Sequence, residues 1–415
     1  MNLCQASAIA LVTSIAATTV TALAQQSTEP TGHRHKLRRV PPLPHPPIDG
    51  NAAEFGAPLI GLSAEQLAAF AAGREEFESI ETAEGGLGPI FNNTSCATCH
   101  SAPVSGGAGT VTVTRFGRSI GSHFDPLVEK GGSLLQQFAI APGAQEFVPP
   151  EANVVVQRIT TPLFGAGLLE AIPDEEIERG ARRNQPDGVS GRAAMITDVV
   201  TGQQRIGRLG WKAQHASLLG FAADAYLNEM GVTNRFFPDE NAPNGDKALL
   251  SKYLTTSGMD DPVDAMGRSD IDASADFARL LAPPPTVRLS GSALGGQRLF
   301  RQLNCDACHR PTMMTGASPI AALAHQIVPL YSDLLLHDMG SLGDGIEQGA
   351  AGARDIKTAP LWGLRARPRL LHDGRATTIA DAILGHAGEA TAARNRFADL
   401  DDASRQQLID FLSTL

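Results

Sequence analysis

The chain has 415 residues and carries 44 acidic against 34 basic side chains, a formal net charge of −10. This length allows two or three domains, and the 42% of hydrophobic residues can supply their cores. The acidic balance argues against nucleic acid as a partner, because such binding needs a basic surface.

The first 24 residues have the features of a secretory signal peptide. An apolar segment over residues 9–23 leads into Ala22-Leu23-Ala24, a small-x-small cleavage pattern, although no Lys or Arg precedes it. No other apolar run approaches the ~20 residues that a membrane-spanning helix needs. We therefore expect an exported, periplasmic protein, cleaved near Ala24 and without a membrane span.

Residues 25–55 are rich in proline and polar side chains, which predicts an extended linker. A helix should follow Ser63, a residue type that caps helix N-termini, and run to Phe77. Three stretches have the composition of strands, and the last of them is typical of a hairpin: Val111–Phe116, Val154–Ile159 and Ile196–Arg208. The chain ends in a helix that Asp401 or Asp402 can cap.

The sequence contains an internal repeat. Gly73-Arg-Glu-Glu-Phe77 precedes one Cys-x-x-Cys-His motif as Gly296-Gln-Arg-Leu-Phe300 precedes a second. Downstream, Thr161-Pro-Leu-Phe-Gly165 is echoed by Ala359-Pro-Leu-Trp-Gly363. Two unequal copies of one domain explain the repeat, and we expect them at residues 56–236 and 288–415, joined by a connection over 237–287.

The two motifs, Cys96-Ala-Thr-Cys99-His100 and Cys305-Asp-Ala-Cys308-His309, have the spacing of c-type haem attachment. Residues three apart share one face of a helical turn, so both thiols can form thioethers to one haem. The His that follows can bind the iron. A Cys₄ zinc site or a thioredoxin-like dithiol would not explain a His directly after each pair.

Removal of the leader would take away Cys4 and leave only the cysteines of these motifs. We therefore expect two covalently bound haems c. The fold class should be mainly α: two unequal cytochrome-c-like domains, with a few short β-strands inserted in the first.

Further motifs are Gly86-Leu-Gly-Pro-Ile-Phe-Asn92, Gly207-Arg-Leu-Gly-Trp-Lys-Ala213, Glu229-Met-Gly231, Leu334-Leu-Leu-His-Asp-Met-Gly340 and Leu371-His-Asp-Gly-Arg375. Together with the attachment motifs, they resemble the di-haem oxidoreductases, also called di-haem peroxidases. That family is similar, more distantly, to the bacterial di-haem cytochrome c peroxidases.

The resemblance implies that the two haems have different roles. The N-terminal haem, with His100 as its proximal ligand, would react with peroxide, and the C-terminal haem would pass electrons to it. Peroxide cleavage needs a group that moves a proton. Our candidate is Glu170, a lone carboxylate in an apolar run, although it could equally be a surface residue. Trp211 could relay electrons between the haems or simply belong to the core.

The resemblance also suggests the second axial ligand of the C-terminal haem. In the bacterial peroxidases, a His-Asp-Gly segment is followed at a fixed distance by the Met that binds this iron. Here the residue at that distance from His372-Asp-Gly374 is His386. The alternatives are Met339 and the pair Met313-Met314.

These expectations together describe an exported peroxidase that reduces hydrogen peroxide with electrons from a small redox donor protein. A calcium ion between the domains, as in some relatives, is left open. Two other functions are also left open. One is a non-catalytic electron carrier with both irons saturated by protein ligands, and the other is an oxidase that acts on a partner protein's side chain.

Overall fold

Helices are the main regular elements of the computed structural model, which describes residues 54–254, 258–289 and 291–415. The signal peptide and most of the linker predicted from the sequence lie outside the described residues. The described residues belong to one compact unit, Val40–Leu415. Within them, no helix combines the length and the apolar character needed to cross a membrane.

The α-helices are α1 Ala64–Glu78, α2 Cys96–Cys99, α3 Ala166–Glu170, α4 Asp174–Ala181, α5 Leu218–Ala225, α6 Lys247–Tyr253, α7 Asp270–Leu280, α8 Gly291–Gln302, α9 Ile379–Leu384, α10 Thr391–Ala398 and α11 Asp402–Leu412. The strands are β1 Ile90–Phe91, β2 Thr112–Ile120, β3 His123–Asp125, β4 Leu134–Leu135, β5 Phe138–Ala139, β6 Val154–Ile159, β7 Ala194–Thr197, β8 Gln204–Gly207, β9 Met313–Met314, β10 Ile327–Val328, β11 Leu336–Asp338 and β12 Asp355–Lys357.

Local sequence explains where the predicted helices begin. The Ser63 hydroxyl accepts a hydrogen bond from the Gln66 N–H, and the Gln66 side chain accepts one from the Ser63 N–H. This capping box starts α1. At the other end of the chain, Asp401 caps α11 by accepting from the Ser404 N–H at 2.7 Å. Both predicted helices are confirmed.

Each copy of the repeat contributes its glycine-containing helix to a similar helix pair: α1 packs against α7, and α8 packs against α11. A Cβ on Gly73 of α1 would lie 2.2 Å from the carbonyl oxygen of Ala273 in α7. A Cβ on Gly296 of α8 would lie 1.9 Å from the carbonyl oxygen of Gln407 in α11. Only glycine permits so close an approach of two helices, which explains why the repeat carries a glycine at this position.

Helix α7 lies in the stretch that the sequence pattern assigned to a connection. It packs against α1 through Phe277, whose ring centre is 5.3 Å from that of Phe70 and 4.8 Å from that of Phe77. The connection therefore supplies one helix of the first pair. The domain boundaries proposed from the sequence stay a prediction.

The predicted strands are confirmed, and they lie between α1 and α7 in the sequence. Strands β2 and β6 pair antiparallel, with Thr112 opposite Ile159 and Gly117 opposite Val154. Strands β7 and β8 form the predicted hairpin, which turns through Gly202 with a φ of +69°. The last two residues of β6, together with the residues directly after them, reach the wall of a cavity.

Candidate functional site

Two cavities contain the Cys-x-x-Cys-His motifs. The first cavity is lined by Cys96, Cys99 and His100. The second cavity is lined by Cys305, Cys308, His309 and His386. The two thiol pairs therefore belong to different sites and do not form one Cys₄ centre. Across the described ranges, no group of three or more His, Cys, Asp or Glu side chains could hold a metal ion.

The first motif has the local structure that its spacing predicts. Helix α2 is one short turn, so Cys96 and Cys99 share a face and His100 follows directly. Burial raises the pKa of Cys96 to about 12 and that of Cys99 to about 11, which keeps both thiols neutral. A thioredoxin-like dithiol needs a thiolate near neutral pH, so this environment does not favour that alternative.

The ring of His100 is oriented by its backbone partner. Its Nδ1 lies 3.3 Å from the carbonyl oxygen of Gly107. Because a carbonyl only accepts, Nδ1 carries the proton and Nε2 keeps its lone pair for a metal. Burial lowers the pKa of His100 to about 4, so the imidazole is neutral, as a ligand must be.

The second motif is arranged in the same way. Cys305 starts a tight helical turn, and burial raises its pKa to about 12. His309 places Nδ1 at 3.1 Å from the carbonyl oxygen of Tyr331, and burial lowers its pKa to about 4. His309 is therefore also a neutral imidazole with Nε2 available.

A second imidazole faces His309 across this cavity. His386 follows α9 and donates its Nδ1–H to the carbonyl oxygen of Ala382 at 2.7 Å. The ring centres of His309 and His386 are 6.3 Å apart. An imidazole nitrogen binds a transition metal at about 2 Å, and its ring centre lies roughly 1 Å further out. Two imidazoles on opposite faces of one iron therefore need about the separation found here.

The other candidate ligands for this site are placed differently. Met339 lines the second cavity, where it packs with Leu342 and Ile356 beside Trp211. Met313 lies in a separate hydrophobic cluster and pairs with Val328 in a short ladder. Of the candidate ligands, His386 is the one whose ring contacts the ring of His309.

Both cavities contain cationic side chains, and their N–H groups can pair with the carboxylates of a haem. In the second cavity, the Nε of Arg367 is buried without a hydrogen-bond partner among the described residues. Lys357 lines the same cavity, and burial lowers its pKa to about 8. In the first cavity, the Nε of Arg115 is buried without a partner in the described chain. The buried guanidinium of Arg367 calls for an anion, and a haem propionate would supply one, whereas Arg115 shares its cavity with the carboxylates of Asp224 and Glu229.

Trp211 lines both cavities. Its indole N–H donates to the carbonyl oxygen of Ile159 at 2.8 Å, and its own carbonyl accepts from the Lys357 N–H at 2.9 Å. The ring also lies edge-on to His372 at 6.3 Å. One hydrogen bond from the indole ring and one to the Trp211 carbonyl thus hold this residue at the boundary of the two cavities.

Glu170 is not among the residues that line either cavity. Its carboxylate forms an ion pair with Arg279 at 2.7 Å and accepts from the Leu218 N–H at 2.7 Å. Both interactions suit a structural carboxylate that joins α3 to α5 and α7. The acid–base role of Glu170 stays a prediction from the sequence, without support from its position.

The first cavity contains another carboxyl group, Glu229, which was not selected from the sequence. Asn92 donates its side-chain N–H to Oε2 of Glu229 at 2.8 Å. Burial raises the pKa of Glu229, while Arg115 on the same cavity wall partly opposes that rise. Glu229 lies in a π-helical segment, Tyr226–Met230, a rare conformation that is frequent at functional sites.

A signal for Glu229 was present in the sequence, since it belongs to the Glu229-Met-Gly231 motif. The motif indicated the family but not which of its residues faces a cavity. That information depends on the π-helical segment, which local sequence patterns do not predict.

Among solved structures, the chain is similar to the hydrazine synthase of Kuenenia stuttgartiensis, with 15% identity and a TM-score of 0.39 over 95% of this chain and 100% of that one. It is similar to the diheme peroxidase BthA of Burkholderia thailandensis, with 14% identity and a TM-score of 0.37 over 84% and 86% of the two chains. A MauG-like protein associated with microbial copper homeostasis shows 16% identity and a TM-score of 0.31 over 61% and 89%. Likenesses of this size do not define an activity.

No curated protein matches the sequence. The family model of the di-haem oxidoreductases matches residues 150–415, which includes the second Cys-x-x-Cys-His motif and begins after the first. This match confirms the resemblance seen in the sequence motifs. Because it takes in more than half of the chain, the protein belongs to the di-haem oxidoreductase family and is an oxidoreductase.

Proposed function

We propose that this oxidoreductase is an exported peroxidase that reduces hydrogen peroxide in the first cavity with electrons passed through the second. The difference between the two cavities supports this proposal best. In the second cavity, His309 and His386 face each other. Among the described residues that line the first cavity, His100 is the only histidine, and it shares that cavity with Glu229 and Arg115.

Both cavities suit a covalently held haem. Cys96 and Cys99 would hold one haem, and Cys305 and Cys308 the other, each by adding a thiol S–H across a vinyl group. The haem irons would supply the redox chemistry, one reacting with peroxide and one storing an electron. Mass spectrometry after denaturation should find two haems bound to the polypeptide. Stoichiometric zinc without covalent haem would contradict the proposal.

The first cavity supplies the groups that peroxide reduction needs. Hydrogen peroxide takes up two electrons and two protons to give two waters, so a proton must move between its oxygens. The Glu229 carboxylate can take a proton from one peroxide oxygen and return it to the other. The Arg115 guanidinium can stabilise the negative charge that develops when the bond between the oxygens breaks.

Electrons must then travel between the cavities. Trp211 lies on the wall of both and is held by a hydrogen bond from its indole N–H and by another to its own carbonyl. We propose that its indole ring provides the route between the two haems. A small redox donor protein outside the cytoplasm would deliver electrons to the second cavity.

One observation favours a second candidate function, a non-catalytic electron carrier. Met230 also lines the first cavity, and its thioether could act as a second ligand opposite His100. A resting and a reduced absorption spectrum, before and after addition of peroxide, distinguishes the two functions. The peroxidase should show one haem that responds to peroxide. Two low-spin haems whose absorption spectra do not change with peroxide would establish the electron carrier.

The same spectra do not separate a peroxidase from an oxidase of a protein side chain, because both need a reactive first site. Steady-state assays separate them. A peroxidase turns over continuously with a reduced small electron-transfer protein as donor, whereas an oxidase consumes peroxide only when its partner protein is present.

A further inference from the structure

Lys212 is fully buried, with none of its side chain exposed to solvent. Its ammonium nitrogen lies 2.9 Å from Oδ1 of Asp344. Three backbone carbonyl oxygens surround it as well, those of Asp355 at 2.7 Å, Gly352 at 3.1 Å and Ala353 at 3.5 Å. One carboxylate and three carbonyls around a positive charge form the type of oxygen cage that proteins use to bind metal cations.

All four oxygens come from one segment, residues 344–355, which we call the cage loop. The loop closes on itself through the Gly345 N–H, which donates to the Ala353 carbonyl at 2.9 Å, and through a turn between Gln348 and Ala351. These backbone bonds hold the loop closed in addition to the bonds that it makes with Lys212. The loop supplies the acceptors, and Lys212 supplies the charge.

The cage loop is tied to a second cation from the first half of the chain. Arg158 donates from Nε to Oδ2 of Asp344 at 2.7 Å and from Nη1 to Oε1 of Gln348 at 2.7 Å. Asp344 is thus shared between Arg158 and Lys212, one on each carboxylate oxygen. Arg158 lines the first cavity, and Lys212 directly follows Trp211, so the loop is anchored where the two cavities adjoin.

We propose that Lys212 acts as a built-in cation whose ammonium occupies, in this chain, a site that could otherwise bind a free cation. The site fixes the cage loop to the residue that follows Trp211, and it does so without a bound metal. Lys212 is therefore a positioning residue for Trp211. The calcium ion that the sequence left open is not needed at this loop.

The charges around the cage also determine which free cation would replace the ammonium. Asp344 contributes one negative charge, and Arg158 already pairs with its other oxygen. With an ammonium or K⁺ in the cage, these groups sum to one positive charge, and a divalent ion would raise that excess to two beside a buried guanidinium, which is more costly. The emptied cage should therefore prefer a monovalent cation to calcium.

The test uses the full-length protein with both haems attached. Lys212→Ala removes the atoms of a propylammonium ion and leaves the cage empty, whereas Lys212→Met removes the charge but keeps the cage entrance filled. Lys247→Ala is the matched control, because Lys247 is an exposed lysine on α6. For each protein, the thermal midpoint and the peroxide turnover are measured with EDTA, and then with n-propylammonium, K⁺ or Ca²⁺.

The wild type and Lys247→Ala should keep their midpoint and turnover in EDTA and should not respond to the added cations beyond a general salt effect. Lys212→Ala and Lys212→Met should both lose thermal stability. Propylammonium or K⁺ should restore Lys212→Ala in a saturable manner and should leave Lys212→Met unchanged. This pattern separates a cation site from a lysine that only fills space.

Three results would overturn the proposal. The first is a wild type that loses stability or turnover in EDTA. The second is a folded Lys212→Ala that no monovalent cation restores, and the third is restoration by Ca²⁺ alone. If Lys212→Ala does not fold, the wild-type response to EDTA and its metal content decide, because stoichiometric calcium in that protein contradicts the proposal. None of these stability readouts depends on the protein being a peroxidase.

Discussion

His309 and His386 face each other across the second cavity with ring centres 6.3 Å apart and ring planes inclined by 65°. Each ring uses Nδ1 on a backbone carbonyl, of Tyr331 and Ala382 respectively. Each can therefore present Nε2 to the space between them. Paired imidazoles of this kind would hold a haem iron from both sides.

This arrangement predicts how the second haem responds to a change of ligand. Imidazole is a stronger donor than thioether and favours ferric iron, so His386→Met should raise the potential of one haem only. The same variant should create the weak near-infrared band of Met-ligated ferric haem, which the wild type should lack. Redox titration and near-infrared spectra of the purified protein check both effects.

His325→Ala is a suitable control for His386 variants, because His325 is exposed and lines neither cavity. It should change neither spectrum nor potential. If the wild type already shows the Met band, or if His386→Ala leaves both haem spectra unchanged, His386 is not the ligand. Met339, which lines the same cavity, then becomes the first candidate.

The two carboxylates show what the sequence could and could not predict. Glu170 was selected because it is a lone carboxylate in an apolar run, a pattern that suggests an unpaired buried acid. Its partner Arg279 lies in a stretch that the sequence indicated as a connection, so the ion pair could not be anticipated. Glu229 reaches the first cavity through a π-helical segment, which depends on tertiary packing rather than local propensity.

The helix pairs also combine features that the sequence predicts with features that it does not. The repeat identified Gly73 and Gly296 as equivalent, and the caps at Ser63 and Asp401 are local signals that can be recognised in the sequence. The partner of α1 was missed, because nothing close to Phe277 in sequence indicates that it packs against a helix about two hundred residues earlier. Long-range packing decided what the local pattern left open.

The close approach of α8 and α11 predicts a large effect of a small substitution. Gly296→Val would place methyl groups against the Gln407 carbonyl and the Phe411 side chain, so the helices must separate. Overpacking of this kind costs ~1–3 kcal/mol, and here a backbone atom is in the way. Thermal unfolding of the haem-loaded protein should show a lower midpoint. Leu294→Ala, an exposed position on the same helix, should change it little.

Trp211 should matter for electron transfer and not for haem binding. Trp211→Phe keeps an aromatic ring but loses the hydrogen bond to the Ile159 carbonyl and part of the π-system. We expect slower peroxide turnover with both haem spectra preserved. Rapid mixing with peroxide, which follows oxidation of the second haem, measures the transfer directly.

Trp362→Phe is the matched control for this prediction. Trp362 lines the second cavity only and lies in a hydrophobic cluster with Leu169 and Leu330. Its replacement should lower stability and leave transfer between the haems intact. Equal slowing in both variants would show that Trp211 has no special role as a relay.

The proposed proton transfer predicts a contrast between Glu229 and Glu170. Glu229→Gln should keep both haems attached and lower peroxide turnover by the ~10²- to 10⁴-fold typical of a lost acid–base group. Glu170→Gln should lower stability through the Arg279 pair and leave the chemical step intact. A large loss of turnover in Glu170→Gln together with normal turnover in Glu229→Gln would return the role to Glu170.

The pH dependence of turnover tests the same carboxyl group independently. Burial raises the pKa of Glu229 above the ordinary value of 4.5, and its carboxylate must be unprotonated to take the first proton from peroxide. Turnover should therefore be lost as the pH falls through this raised pKa, at a higher pH than an exposed carboxyl would give. Arg115→Gln removes the charge that holds the pKa down and should move the loss to still higher pH, while Glu229→Gln should abolish this part of the kcat/KM profile. A profile that is unchanged in both variants would assign the pH dependence to another group and remove Glu229 from the mechanism.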